Sequence, residues 1–521
     1  MLRSLPTDVS SFKTLRTGDY TYVDKTEHMY NLFSGGSRYY FLSRPRRFGK
    51  SLLISTLYEL FSGNKALFDG LWISTSSYDW QEYPVIQLDF STIDYKTPQE
   101  LDASLQWTLD AIAKSYGVDV SGAPGLKLKL RSLVEQLSQK NKVVVLIDEY
   151  DKPILDHLKN VHEAEAIRDA LRGFYDALKG LDSHLRAIFI TGVTKFAKTS
   201  IFSGINNLND ISIKPEAASL LGYTYVEITQ SFGPHLEQLA QQHGHGVDNE
   251  LALIQQWYNG YQFSDKDIKV YNPFSVLYYL KDAKLRNYWF ESGTPSFLVT
   301  YLRTQYDTLQ ELSLVELSPE SLSSFQIHDI PLIPLLFQTG YLTIIAYNPV
   351  KDTFRLGFPN VEVADSFNKF LVATLAHSNV VTIDTAQDRL LRALEAYDLK
   401  QFCKSLQALF AHIPYTLHIK KESYYHSLFQ FLMSLLSRKA QSEILTNQGR
   451  IDLVVSTKTY RYIFELKLNV DSQKALEQIL NKRYYESFID CGKKIILVGL
   501  SFKMHEGTFD VEYSSQEMVA K

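Results

Sequence analysis

The chain has 521 residues, 45% of them hydrophobic and 21% charged, with a formal net charge of -4. That balance fits a globular protein of about three domains and argues against a strongly basic nucleic-acid binder. Two cysteines exclude a disulfide framework and a cysteine-based zinc cluster, and neither a signal-peptide core nor a membrane-length apolar run is present, so a cytoplasmic protein with no membrane segment is expected.

Near the N-terminus, Asp24-Lys25-Thr26 precedes a helical pattern of Met29, Leu32 and Phe33 and reads as its N-cap. Tyr39-Tyr40-Phe41-Leu42 is a short run suited to a buried strand. It leads into Arg44-Pro45-Arg46-Arg47-Phe48-Gly49-Lys50-Ser51, which matches the phosphate-binding pattern G-x-x-x-x-G-K-[ST] in its last three positions and carries Arg44 where the first glycine belongs. Leu52, Leu53, Ile54, Leu57, Leu60 and Phe61 then recur at helical spacing up to Gly63. Strand, loop and helix come in the order a phosphate cradle requires, with Lys50 and Ser51 at the positive end of the helix dipole. Arg46, Arg47, Phe48, Gly49, Lys50 and Ser51 are therefore candidates for binding a nucleoside triphosphate such as ATP. Arg46 and Arg47 either stabilise transferring phosphate or are solvated charge.

Lys142-Val143-Val144-Val145-Leu146-Ile147 reads as a strand buried on both faces and runs straight into Asp148-Glu149-Tyr150-Asp151. Acidic residues at the C-terminal end of such a strand suit Asp148, with Ser51, as ligands of Mg²⁺ and Glu149 as the group that polarises attacking water. The alternative is an ordinary polar loop. A third core strand, Leu185 to Gly192, ends in polar residues, of which Thr191 or Thr194 is the candidate sensor of the terminal phosphate, or simply part of a turn.

Beyond Tyr225 the pattern turns helical, with amphipathic segments at Leu251 to Tyr261 and Ser275 to Leu280 and a capped helix at Phe297 to Arg303. Ser318 to Ile330 reads as a polar loop, and Leu336 to Ala346 with Thr353 to Phe358 as a small β element. A boundary falls near 375–385, followed by a helical connector to about Phe410.

The C-terminal part carries a second chemical constellation. Tyr424 to Leu436 is an amphipathic helix, and two strand-like runs follow, Gly449 to Val455 with Asp452 and Tyr462 to Lys467 with Glu465 and Lys467, joined by a short polar turn. Glu465 and Lys467, two apart, share a strand face. A carboxylate from one strand and Glu-x-Lys from its neighbour form the metal site of PD-(D/E)xK nucleases, in which Asp452 and Glu465 hold Mg²⁺ or Mn²⁺ and Lys467 positions or deprotonates water. Glu422 and Glu443 are both candidates for a further acidic ligand, Glu443 being nearer in sequence. A helix carrying Gln478 and a strand, Lys494 to Val498, complete an α-β-β-β-α-β order. From Tyr415 to Lys521 there are 15 Lys and Arg against 12 Asp and Glu, a local balance that permits phosphate contacts.

Taken with Tyr22 to Thr26, Thr191 to Lys195, Phe202 to Leu208, Tyr271 to Ser275, Gln338 to Leu342 and Phe358 to Val363, these motifs resemble a family of bacterial AAA-ATPase-like proteins with a C-terminal PD-(D/E)xK nuclease-like domain. The resemblance runs over almost the whole chain, and the absent first glycine is usual in that family. It implies an α/β fold with a P-loop core on a parallel sheet, a helical middle region and a restriction-endonuclease-like domain. The expected divisions are 1–225, 226–380 and 381–521. The expected function is an ATP-binding protein coupled to a metal-dependent nuclease acting on nucleic acid, with DNA favoured over RNA and protein partners met through the helical middle. The alternative is a nucleotide-dependent switch whose nuclease fold only binds. Oligomeric state is open.

Overall fold

The computed structural model describes residues 2–196, 201, 202, 205, 207–291, 316–323, 326–376, 378–411, 428, 429, 431–436, 453–488, 492–505 and 508–518. It divides into two compact units, Met1–Phe297 with Ser313–Val363 and Leu298–Leu312 with Ala364–Lys521.

The first unit is built on a sheet of five strands: β1 Tyr39–Ser43, β2 Val85–Asp89, β3 Val143–Asp148, β4 Leu185–Gly192 and β5 Asn209–Asp210. Their order is β2-β3-β4-β1-β5, and every neighbouring pair is parallel. β1 and β3 are buried along their whole length, as strands covered on both faces must be. The edge strand β2 was not read from the sequence, because five residues with only Val85, Ile86 and Leu88 apolar carry little periodic signal. Register aligns Leu42 with Thr191 and Asp89 with Asp148. The polar ends of β1, β3 and β4 therefore meet at the C-terminal edge of the sheet, where parallel α/β sheets bind ligands.

The helix Lys50–Phe61 leaves β1 through a loop and shares one apolar core with the sheet: Leu53, Leu57 and Leu60 cluster with Leu42, Val144, Leu146 and Phe189. Burial of each such side chain contributes about 1.5–3 kcal/mol. A second core gathers Ile228, Phe232 and Leu236 of the helix Tyr225–His243 with Ile254 of Val247–Tyr258 and Val276 of Pro273–Asp282. Thr224 and Glu227 cap the first of these helices reciprocally.

Two expectations for the middle region change. The stretch expected to be a polar loop contains a short helix, Pro319–Ser323. Leu336 to Thr339, expected to be strand, belongs to the helix Leu332–Thr339, which Gly340 ends at φ 91°, and the strands run Thr343–Asn348 and Thr353–Gly357. A short run buried on every side has no periodicity that separates helix from strand, and the glycine sets the boundary. Phe297 to Arg303 lies outside the described residues.

The second unit holds a four-stranded mixed sheet. Leu453–Ser456 pairs antiparallel with Tyr460–Leu468, which pairs parallel with Lys494–His505, which pairs antiparallel with Thr508–Met518. The last strand was not anticipated from the sequence. Residues 431–436 are helical as expected, with Leu432 and Leu436 buried. Phe402 of the helix Leu399–Phe410 stacks on Phe464 of the sheet at 5.7 Å between ring centres. Among the described residues no helix is long and apolar enough to cross a membrane.

Candidate functional site

Gly49 adopts φ 95° and Arg47 φ 65°, so the loop after β1 turns through two left-handed residues before the helix starts at Lys50. Lys50 is buried and donates from Nζ to the carbonyls of Arg44 and Pro45 at 3.0 and 2.9 Å. Burial lowers its proton affinity, while Asp148, Glu149 and Asp151 oppose the shift, which places three carboxylates within electrostatic reach of the ammonium.

Arg44 does not reach toward a phosphate. It is 1% exposed, and its guanidinium donates to the carbonyls of Ser43, Ser212 and Ala217 at 2.9, 2.6 and 2.7 Å and lies over the Phe263 ring. Desolvation pulls its pKa down to about 9. The residue at the first-glycine position is thus a strut between the loop and the segment after β5.

The acidic end of β3 is tightly organised. Thr191, at the paired end of β4, donates its hydroxyl to Asp148 Oδ1 at 2.5 Å. Asp151 is fully desolvated and accepts from the Val193 and Thr194 amides and from the Thr194 hydroxyl; burial raises its pKa against these bonds. Glu149 sits between them at φ 53°, partly exposed, with its pKa raised chiefly by burial. Asp151 therefore braces the strand ends, and although both carboxylates border the cavity beside the loop, Glu149 is the more exposed of the two. Gly192 leaves room for this packing, since a Cβ there would lie 2.6 Å from the Tyr150 ring and 2.7 Å from Asp151.

Arg46, Arg47, Phe48, Gly49, Lys50, Ser51 and Glu149 all line one cavity of about 460 Å³. The same cavity is lined by the N-terminal segment, including Tyr22, Val23 and Lys25, and by Leu221 and Phe274. Asp24 caps Thr26 through its backbone amide, and the N-cap position itself is Lys25, which pairs with Glu227 at 2.6 Å. Arg47 stacks over Phe274 at 4.8 Å, and Phe48 packs edge-on to Tyr261 and Phe263, so Phe48 anchors the loop from below while Arg47 lies at its surface.

In the second unit Glu465 is 2% exposed; its Oε1 accepts from Gln478 of the helix Ser472–Asn481 and lies 3.5 Å from Lys467 Nζ. Gly499 allows that helix to approach, because a Cβ there would fall 2.3 Å from Ser472 O. Leu453, the residue after Asp452, pairs with Phe464, the residue before Glu465. Asp452, Glu443 and Glu422 lie outside the described residues.

Residues 6–202 match a family described as predicted AAA-ATPase, and residues 420–512 match the PD-(D/E)XK nuclease superfamily. A protein of Azotobacter chroococcum mcd 1, described as an uncharacterized protein in the vnfD 5' region, is 36% identical over 514 residues, 96% of each chain. The chain belongs to this family of AAA-ATPase-like proteins with a C-terminal PD-(D/E)XK nuclease superfamily domain. Among solved structures, the Aeropyrum pernix ORC1 protein in complex with DNA aligns with 68% of this chain and 96% of its own at 10% identity and a TM-score of 0.25, a likeness that carries no argument.

The phosphate loop also rests on residues of the first unit that carry no local mark of it in the sequence. Trp289 donates its indole N–H to the carbonyl of Arg46 at 3.0 Å, tying the loop to the helix Tyr288–Glu291. The Trp289 amide in turn donates to Glu362, which also accepts from Ser275 and whose carboxyl burial pushes up to about 8. Gly340 fits under the loop, since a Cβ there would lie 2.7 Å from Pro45. Phe358 to Val363 was noted as a motif, yet nothing in its spacing points to the phosphate loop. In the nuclease superfamily domain the sequence placed Gln478 on the right helix without assigning it to Glu465.

Proposed function

We propose that the AAA-ATPase-like domain binds ATP with Mg²⁺ and hydrolyses it, and that the nuclease superfamily domain is a metal-dependent phosphodiesterase acting on DNA under the control of nucleotide state. The observation that carries the first part is the convergence of Lys50, Ser51 and Glu149 on one cavity at the C-terminal edge of a parallel sheet. The chemistry of the donors fits the ligand. Helix Lys50–Phe61 offers the unpaired amides of its first turn, the Gly49 turn admits no ordinary side chain, and hard oxygen donors suit Mg²⁺.

In this reading Lys50 exchanges its two loop carbonyls for phosphate oxygens, and Ser51 and Asp148 hold the cation. Thr191 fixes the carboxylate of Asp148 by its hydrogen bond. Glu149, raised in pKa and open to the cavity, orients water and accepts its proton. Arg46 and Arg47 contribute positive charge at the cavity rim. Bound Mg²⁺ supplies charge neutralisation at the phosphates.

For the nuclease, Glu465 and Asp452, with Glu443 as a further ligand, are the proposed holders of Mg²⁺ or Mn²⁺. Gln478 orients Glu465, and Lys467 positions the attacking water. The metal supplies stabilisation of negative charge developing on phosphate. The divisions 1–225, 226–380 and 381–521, a cytoplasmic location and protein contacts through the middle region remain part of the proposal.

The test is cleavage of linear, branched and single-stranded DNA and of RNA with Mg²⁺ or Mn²⁺, with and without ATP, alongside ATP titration. Cutting lost in Asp452→Ala with ATP binding intact, and altered in Lys50→Ala, is the expected result. ATP binding without cutting under any condition would make the chain a nucleotide-dependent switch instead.

A further inference from the structure

Far from both proposed catalytic centres in sequence, the turn joining the helices Tyr225–His243 and Val247–Tyr258 brings two imidazoles onto one carboxylate. His243 is the last residue of the first helix, and Gly244 at φ 74° reverses the chain so that His245 returns to the same side. Glu250, in the second helix, is fully buried. His243 Nδ1 lies 2.5 Å and His245 Nε2 3.2 Å from the same oxygen, Glu250 Oε1, and the three groups present ligand atoms within 4.8 Å of one another. Tyr279 donates to the other carboxylate oxygen and so fixes which one faces the histidines.

The second nitrogen of each ring decides what this cluster can hold. His243 Nε2 lies 3.2 Å from the carbonyl of Ala283, and His245 Nδ1 lies 3.2 Å from the carbonyl of Gly246. A carbonyl only accepts, so both remote nitrogens carry the ring proton. In neutral imidazoles the two near nitrogens are then bare lone pairs aimed at a carboxylate oxygen, three acceptors facing one another with no donor between them. Protein metal sites have this arrangement, the outer N–H of each histidine held by a carbonyl and the inner lone pairs left for the ion. Without an ion a single proton fills this place, His243 as imidazolium donating from Nδ1 to Glu250 Oε1, and an incoming metal displaces it.

We propose that His243, His245 and Glu250 form a binding site for a divalent transition metal of the Zn²⁺ class. Two imidazoles and one carboxylate match the borderline softness of Zn²⁺, and a three-ligand set leaves a position for water. The 3.2 Å edge between His245 and Glu250 is close to the roughly 3.3 Å edge of a tetrahedron with bonds near 2.0 Å. The shorter edge opens by rotation of the His243 ring, whose side chain is 27% exposed and so gives the ion a path from solvent. The negative end of the helix dipole at His243 also favours a cation. The ion would clip the end of one helix to the start of the next.

The experiment uses the full chain without a polyhistidine tag, stripped with chelator, then titrated with ZnCl₂ by calorimetry and with CoCl₂ by visible absorption. The expected result is one site with the absorption of tetrahedral Co²⁺, its affinity falling by more than about 100-fold in His245→Ala, beyond the loss caused by an outer partner alone. His245 is chosen because loss of buried Glu250 can unfold the helix pair, and circular dichroism checks that helix content is kept. A Glu465→Gln protein, in which the proposed nuclease ligand is altered, should keep the signal. The proposal is overturned if no Co²⁺ spectrum develops, or if His243→Ala and His245→Ala both bind Zn²⁺ as tightly as the parent.

Discussion

Restoring the glycine that the usual phosphate loop carries, by Arg44→Gly, should weaken this protein without improving nucleotide binding. The guanidinium donates to three carbonyls, two of them across the chain at Ser212 and Ala217. Leaving those two acceptors without it costs about 1–3 kcal/mol each. Loss of the desolvated stack on Phe263 removes about 2 kcal/mol more. Relief of the desolvation that holds the Arg44 pKa near 9 offsets part of this, so a net loss of about 2–4 kcal/mol is expected. Thermal unfolding followed by circular dichroism should show a melting temperature lower by roughly 5–10 °C. ATP affinity, measured by calorimetry well below that temperature, should be equal or weaker. An unchanged melting temperature together with tighter ATP binding would refute the strut assignment and mean that Arg44 had been obstructing the phosphates.

Glu362→Gln tests the buried carboxyl beside Trp289. Its pKa is raised from 4.5 to about 8 in the folded state, so its stabilising contribution is complete below about pH 4.5 and is lost as pH rises through about 8. The parent should lose about 1.4 kcal/mol per pH unit across that window relative to the variant, and equal slopes in denaturant titrations from pH 5 to 8 would contradict this. Gly192→Ala places a methyl against Tyr150 and Asp151, with an expected loss of about 1–3 kcal/mol and weaker ATP binding; a variant with parental stability and affinity would show that the strand ends are not packed as described. Thr191→Val removes the hydroxyl that holds Asp148, and the affinity for Mg²⁺-ATP should fall about tenfold while the melting temperature moves little. Gly499→Ala forces the helix Ser472–Asn481 off the sheet and Gln478 away from Glu465, so any metal-dependent cleavage should drop further than the parent's stability alone explains.

Local signals were enough for the strand-loop-helix at Tyr39 to Phe61, the buried strand before Asp148, the pairing of Glu465 with Lys467 and the helix carrying Gln478. Each rests on properties that neighbouring residues determine among themselves: a run of β-branched residues, a glycine before a lysine, a two-residue repeat along a strand. Tertiary structure decided the rest, because the partners are far apart in the chain. Arg44 looks like a defect in a motif until the carbonyls of Ser212 and Ala217 arrive to accept its hydrogen bonds. Thr191 could not be told from a turn residue until β4 paired with β3 and set its hydroxyl on Asp148. Trp289 and Glu362 carry no local mark of the phosphate loop; they reach it because helices more than 200 residues away in sequence fold onto it. His243, His245 and Glu250 were an unremarked turn, and the carbonyls of Ala283 and Gly246 fix their ring protons. A side chain's type and spacing set what chemistry it can do, while burial and the hydrogen-bond partners supplied by distant segments set which atom is free to do it.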